Sequence, residues 1–328
     1  MSSIGLLQKR PFNSQRFWRQ NGRLIAVYGL VVIMALIGVF FTERFLSERN
    51  LFNLLRQTAF LGVVALGQML VVLTAGIDLS IGSLVRVSVL VSAILMSGDS
   101  NNTLPAILIT LLLGAGIGFV HALLINRLNI SPFIVTLASF VILRGVALTI
   151  STSPIGKASR ETLLFYDQRV GPFSILFLLF VILIVTLIFV LRRTIFGRYV
   201  YAVGGNQEVA RLAGIPVQRV RYGVYILCSL LASVCGLMWL SRMGVGDPVI
   251  ADGLELTTIT AVIIGGTSLF GGAGSIFGTV VGSLLIGVLL NGLVLMNVNS
   301  YIQQIIIGVI IVLAVAFDTF AKSRRRKN

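Results

Sequence analysis

Long apolar runs, each interrupted by a short polar or Gly-rich stretch, follow one another along nearly the whole chain. A bilayer hydrocarbon core is about 30 Å thick and takes about 20 apolar helical residues to cross, with a tolerance of about 17–25. The first such run extends from Leu24 to Thr42, after a polar and basic N-terminal stretch over 1–23. A signal-peptide core has only about 7–15 apolar residues, so this run reads as a retained first span. Nine further segments meet or approach spanning length: 57–75, 81–96, 105–125, 133–150, 173–191, 222–240, 255–272, 276–296 and 301–318. Those at 81–96 and 255–272 are short and interrupted by Gly or polar residues. They predict half-helices packed inside protein, where interrupted backbone finds partners. The pattern thus predicts an all-α, polytopic membrane helical bundle of about ten segments. A cytoplasmic tail (1–23) precedes the transmembrane domain (24–318), and a basic cytoplasmic tail (319–328) follows it.

Charge tests this topology independently. Only 11% of the 328 residues are charged and 56% are hydrophobic, against about 25% charged in soluble domains. The net charge of +15 raises the question of nucleic acid, but lipid-bound segments interrupt the basic stretches, so the expected partner is membrane lipid and not nucleic acid. Cytoplasmic loops of membrane proteins collect Lys and Arg. With the N-terminus inside and the spans alternating, the inner side holds Lys9, Arg10, Arg16, Arg19, Arg23, Arg127, Arg192, Arg193, Arg198, Arg211, Arg219, Arg221, Lys322, Arg324, Arg325, Arg326 and Lys327. The outer side holds only Arg44, Arg49, Arg56, Lys157, Arg160, Arg169 and Arg242, together with most of the acids. Both termini are therefore expected in the cytoplasm.

Reactive groups that would make a membrane enzyme are missing. His121 is the single histidine, with no carboxylate in its own span, and reads as a helix–helix hydrogen-bonding residue. Cys228 and Cys235 share one apolar segment and lie too far apart along a helix for a bridge. No metal set, H-E-x-x-H or G-x-S-x-G motif with partners is present. The phosphate loop G-x-x-x-x-G-K-[ST] is absent too: the one lysine after a glycine, Lys157, precedes Ala158. No catalytic residue, metal or cofactor is expected, and any ATP-driven step requires another chain.

The most informative extramembrane segment is the inner loop 192–221. Gly204, Gly205 and Asn206 stop one element, and Asn206 is placed to cap a helix starting at Gln207. Glu208 falls in its first turn, where a carboxylate suits the positive helix end. Pro216 limits the helix to about Gly214. Two turns alone are marginal and need a surface to dock on; Val209, Leu212 and Ala213 are available for that. The loop reads either as an ordinary capped connector or as a docking peg for a soluble partner.

Glu208-Val209-Ala210-Arg211-Leu212-Ala213-Gly214 resembles the E-A-A-x-x-x-G coupling motif of ABC importer permeases, with Val in place of the first Ala. Phe196-Gly197-Arg198, Ala202-Val203-Gly204-Gly205-Asn206 and Gly214-Ile215 are similar to the ribose-type, monosaccharide branch of that family. So are Gly76-Ile77-Asp78-Leu79-Ser80-Ile81-Gly82-Ser83, Pro132-Phe133-Ile134-Val135-Thr136-Leu137 with Arg144-Gly145, and Gly265-Gly266-Thr267-Ser268-Leu269 with Gly271-Gly272. The resemblance spans about residues 20–318 and implies a permease homodimer in the bacterial inner membrane. It also implies an ATP-hydrolysing subunit docked inside and a periplasmic or extracellular sugar-binding protein outside. The chain departs from the pattern at Thr257, where the family carries an acid, and at Arg86, in a helix usually apolar there.

Asp78, Ser80, Arg144, Thr257 and Thr267 are the candidates for the translocation path or its helix breaks. A carboxylate at membrane depth is expensive and often functional, yet Gly76 before Asp78 and Gly82 after it describe a break and restart. Capping the new helix, sugar contact and pairing with an arginine all stay open for Asp78. The stretches Gly76–Gly82 and Gly266–Gly272 share a spacing that duplicated halves would show. The expected mechanism is alternating access, with the peg around Glu208–Gly214 moving with the ATPases. An ion-gradient-driven secondary transporter is the alternative, but Asp78 is the one clear intramembrane acid it would use.

Overall fold

The computed structural model describes residues 44–326, with side chains through Ala316, together with Gly29 and Ile33. The first span at 24–42, the N-terminal tail and the last two residues fall outside the described residues apart from those two positions. Twelve α-helices are named among the described residues: α1 (Glu48–Leu73), α2 (Ile81–Met96), α3 (Thr103–Arg127), α4 (Pro132–Ile150), α5 (Arg160–Asp167), α6 (Ile175–Arg193), α7 (Ile195–Gly205), α8 (Gln207–Leu212), α9 (Val217–Met243), α10 (Leu254–Ile264), α11 (Ile276–Leu295) and α12 (Ser300–Arg326). A two-residue-per-strand hairpin, Arg169–Val170 with Phe173–Ser174, connects α5 to α6.

Helices α1, α3, α4, α6, α9 and α11 are long and apolar enough to cross a membrane; α2, α10 and the apolar part of α12 are shorter. The polytopic helical bundle is the one the hydropathy pattern predicts. The segment expected at 255–272 ends as a helix at Ile264. Gly265 and Gly266 cannot hold a helix against the entropy they release, and the chain then runs without regular structure until Ile276. α12 continues to Arg326.

Burial sorts the helices. From Thr58 to Leu73 every residue of α1 is buried, and α9 packs on α1, α2 and α3. These helices form the centre, while α3, α4 and α6 leave apolar faces outward, as lipid-facing helices do. Gly114 and Gly118 let α3 approach α9 closely: a Cβ on Gly118 would lie 2.5 Å from the Tyr225 carbonyl oxygen. Gly116 of the same helix faces open space. Asn50 and Asn291 exchange reciprocal amide bonds of 2.9 Å between α1 and α11, satisfying two buried carboxamides that lipid would leave unpaired. Serine and threonine caps start several helices: Ser47, Ser159, Ser174, Thr194 and Ser275 each accept from the first turn.

Candidate functional site

The segment between α6 and α9 forms the helical pair α7–α8. Asn206 Oδ1 accepts from the backbone N–H groups of Glu208 at 3.0 Å and Val209 at 3.1 Å, the cap its position predicts. α8 then closes with Gly214 N donating to Arg211 O and Ile215 N to Ala210 O, both at 3.0 Å. This is the pairing of a Schellman motif, and it needs the left-handed φ of +79° that Gly214 adopts. A Cβ on Gly214 would meet nothing within 4 Å. The glycine therefore serves the turn.

On the outer surface of α8, Arg211 makes two bonds to Glu208, one to each carboxylate oxygen, at 2.5 Å and 3.2 Å. The Arg211 guanidinium holds the Glu208 carboxyl below its ordinary range. Ala210 is buried against the rest of the protein, whereas Val209 and Leu212 are 60% and 75% exposed. Val209 and Leu212 thus leave an apolar pair uncovered on the surface of α8.

The second assembly is the broken segment 74–80 between α1 and α2. Asp78 is fully buried, and its Oδ1 accepts from Ser80 N at 2.8 Å and Ser80 Oγ at 2.6 Å. Those bonds shape the turn into α2; Ser80, at the cap position, makes no side-chain cap bond itself. The unwound backbone is held from two sides. Thr136 Oγ1 of α4 donates to Ile77 O at 3.0 Å. The Gln68 carboxamide, in the orientation that satisfies both groups, donates to Asp78 O at 3.2 Å and accepts from Asp78 N at 3.3 Å. The remaining Asp78 oxygen, Oδ2, faces His121 Nδ1 of α3 at 3.9 Å. Tyr225 of α9 stacks edge-on to His121, and a Cβ on Gly76 would lie 2.5 Å from its hydroxyl. Sequence reasoning missed Gln68, His121 and Tyr225 as partners of the break. A buried Gln inside a spanning helix was the available signal.

The other candidates scatter. Thr257 is buried, and its Oγ1 donates to Gly253 O at 2.9 Å, a local helix bond. Thr267 is buried with its hydroxyl unpartnered, in the chain leaving α10. Arg144 is exposed on α4, with no hydrogen bond or ion pair among the described residues. Arg86 does find a partner: its Nη2 meets Asp252 Oδ1 at 3.1 Å, and its Nε donates to Ile250 O at 3.1 Å. Cys228 and Cys235 are buried free thiols. A groove of about 450 Å³ between α3 and α4 is lined by Ile117, Val120, Leu124, Ile134 and Ile142, with His121 and Ser139. It offers a sugar too few hydrogen-bond partners.

The described residues form a polytopic helical membrane bundle with an interruption between α1 and α2, another after α10, and the capped helical pair α7–α8. Residues 50–315 match the family described as branched-chain amino acid transport system / permease component, and the chain belongs to that family. It is 40% identical to the ribose import permease protein RbsC of Escherichia coli K12, over 94% of this chain and 96% of that protein. It is 35% identical to the D-allose transport system permease protein AlsC of the same strain, over 95% of each. Identity to the ribose import permease protein RbsC of Bacillus subtilis 168 is 38%, over 90% of this chain and 92% of that protein. No solved structure matches the chain.

Proposed function

We propose that the chain is the membrane-spanning permease subunit of an ATP-binding-cassette importer, carrying a monosaccharide across the bacterial inner membrane. The uncovered Val209–Leu212 face on a capped helix carries this reading, because it supplies a seat for a partner that burns ATP. The chain has no phosphate loop of its own, so hydrolysis belongs to that partner. Sugars are favoured over the amino acids of the family description because relatives named for ribose and allose match nearly end to end. An extracytoplasmic sugar-binding protein delivers the substrate. A second permease copy covers part of the exposed α3 and α4 faces, where Arg144 otherwise stands against lipid at considerable cost. The ion-driven alternative loses support because Asp78 spends one oxygen on Ser80 and sits in a closed, buried turn.

With the basic loops inside, both termini are cytoplasmic, and a periplasm-dependent reporter fused after Asn328 stays silent. The docking test is Leu212→Asp, which changes a side chain that is 75% exposed. Inserted protein should accumulate normally, while capture of the co-expressed ATPase and uptake both fall at least about tenfold. Normal capture and normal uptake by this variant sink the docking reading.

A further inference from the structure

The chain ends left by α1 and α10 meet at one point, and α7 of the coupling pair is seated on it. Gly272 N donates to Leu73 O at 2.9 Å, satisfying a carbonyl orphaned where α1 stops. Gly204 of α7 presses on the same carbonyl. A Cβ on Gly204 would overlap Leu73 O and stand 2.6 Å from Gly272 N. A Cβ on Gly271 would stand 2.7 Å from Gly204 O and 2.9 Å from Ala75 N. One turn earlier on α7, Tyr201 donates its hydroxyl to Gly274 O at 3.1 Å. Three segments therefore touch backbone to backbone, with no flexible side chain between them to absorb a displacement.

What the junction connects gives it meaning. Leu73 and Ala75 lead within a few residues into the Asp78 turn and α2. Gly271–Gly274 joins α10 to α11, and the Thr267 side chain packs at Gly274. On the other side, α7 continues through Asn206 directly into α8. Close-packed contacts of this kind transmit strain.

We propose that this glycine junction passes movement of the coupling loop to both helix interruptions at once, with Gly204 as the positioning residue. The inference rests on α8 being the ATPase-docking helix. It predicts a defect that docking alone does not produce: ATP is hydrolysed, but the hydrolysis no longer moves sugar.

The test assembles permease, ATPase and binding protein in proteoliposomes and measures D-ribose moved per ATP hydrolysed. Gly204→Ala is tolerated by helical backbone, yet its methyl group needs space occupied by Leu73 O. It should still capture the ATPase within about twofold of wild type, while ribose per ATP falls at least about tenfold. Gly205→Ala is the control, since its Cβ meets nothing within 4 Å, and it should keep the wild-type ratio. A wild-type ratio in Gly204→Ala, or an equal loss in Gly205→Ala, overturns the proposal. Loss of ATPase capture by Gly204→Ala overturns it as well, since the junction then acts on docking. If Gly204→Ala fails to accumulate, Tyr201→Phe, which removes the hydroxyl donated to Gly274 O in the same junction, is read in its place. Failure of both to accumulate makes the junction a folding contact and ends the proposal. Leu212→Asp runs alongside: if it captures ATPase and transports normally, the docking reading itself has failed.

Discussion

Asp78 and His121 face each other at 3.9 Å from the interrupted segment and from α3, and each side chain is about as buried as a core leucine. No other carboxylate approaches His121 among the described residues, and neither imidazole nitrogen has a hydrogen-bond partner there. The acid thus organises the start of α2 through one oxygen and turns the other toward a single basic group on a neighbouring helix.

Removing the Asp78 carboxylate should separate its two roles. Asp78→Ala leaves Ser80 N and Oγ without their acceptor in a buried turn, a loss of about 1–3 kcal/mol. Asp78→Asn keeps an oxygen for Ser80 and should cost clearly less. Thermal unfolding of the detergent-solubilised permease checks the order. Equal destabilisation by both variants would shift the weight to the charge facing His121.

Arg86 is buried while its partner Asp252 is half exposed. Stranding one member of a fully buried pair costs about 3–5 kcal/mol; the open side of Asp252 brings the expectation for Asp252→Ala down to about 1–3 kcal/mol. Replacing Arg86 by Leu as well removes the stranded charge, so the double variant should recover most of that stability. A double variant no more stable than Asp252→Ala would show that Arg86 has other support.

Gly214 tests the helix end. A non-glycine residue in the left-handed region costs about 1–2 kcal/mol, and Asn tolerates it best. Gly214→Asn should therefore keep most uptake, whereas Gly214→Asp adds a charge at the docking end and should abolish uptake and weaken ATPase co-purification. Both proteins should insert and accumulate. Matching uptake in the two variants would mean that charge at this end is irrelevant to docking.

The helix ends and the interruptions were legible in the sequence for local reasons. Asn206 followed by Glu208, with Pro216 beyond, fixes α8 almost to the residue, because caps act over one turn. Short runs with glycines announced α2 and α10 as partial helices. That Gly214 serves φ and not space was left to the structure, since sequence shows that a glycine is present but not which of the two requires it. Thr136 carried no local signal of its task, and a Gln inside a spanning helix signals only that it needs a partner and not which, because the backbone they hold belongs to other segments.

Hydropathy and charge, which depend on composition within a window, determined by themselves that this chain is a polytopic membrane helical bundle and roughly where its long helices run. Only the tertiary structure decided that Arg86 answers Asp252, that His121 faces Asp78, and that Gly204 rests on Leu73 and Gly272. Those relationships join residues between 43 and 166 positions apart in the chain. Helix packing sets such distances, and no periodicity within one segment encodes them.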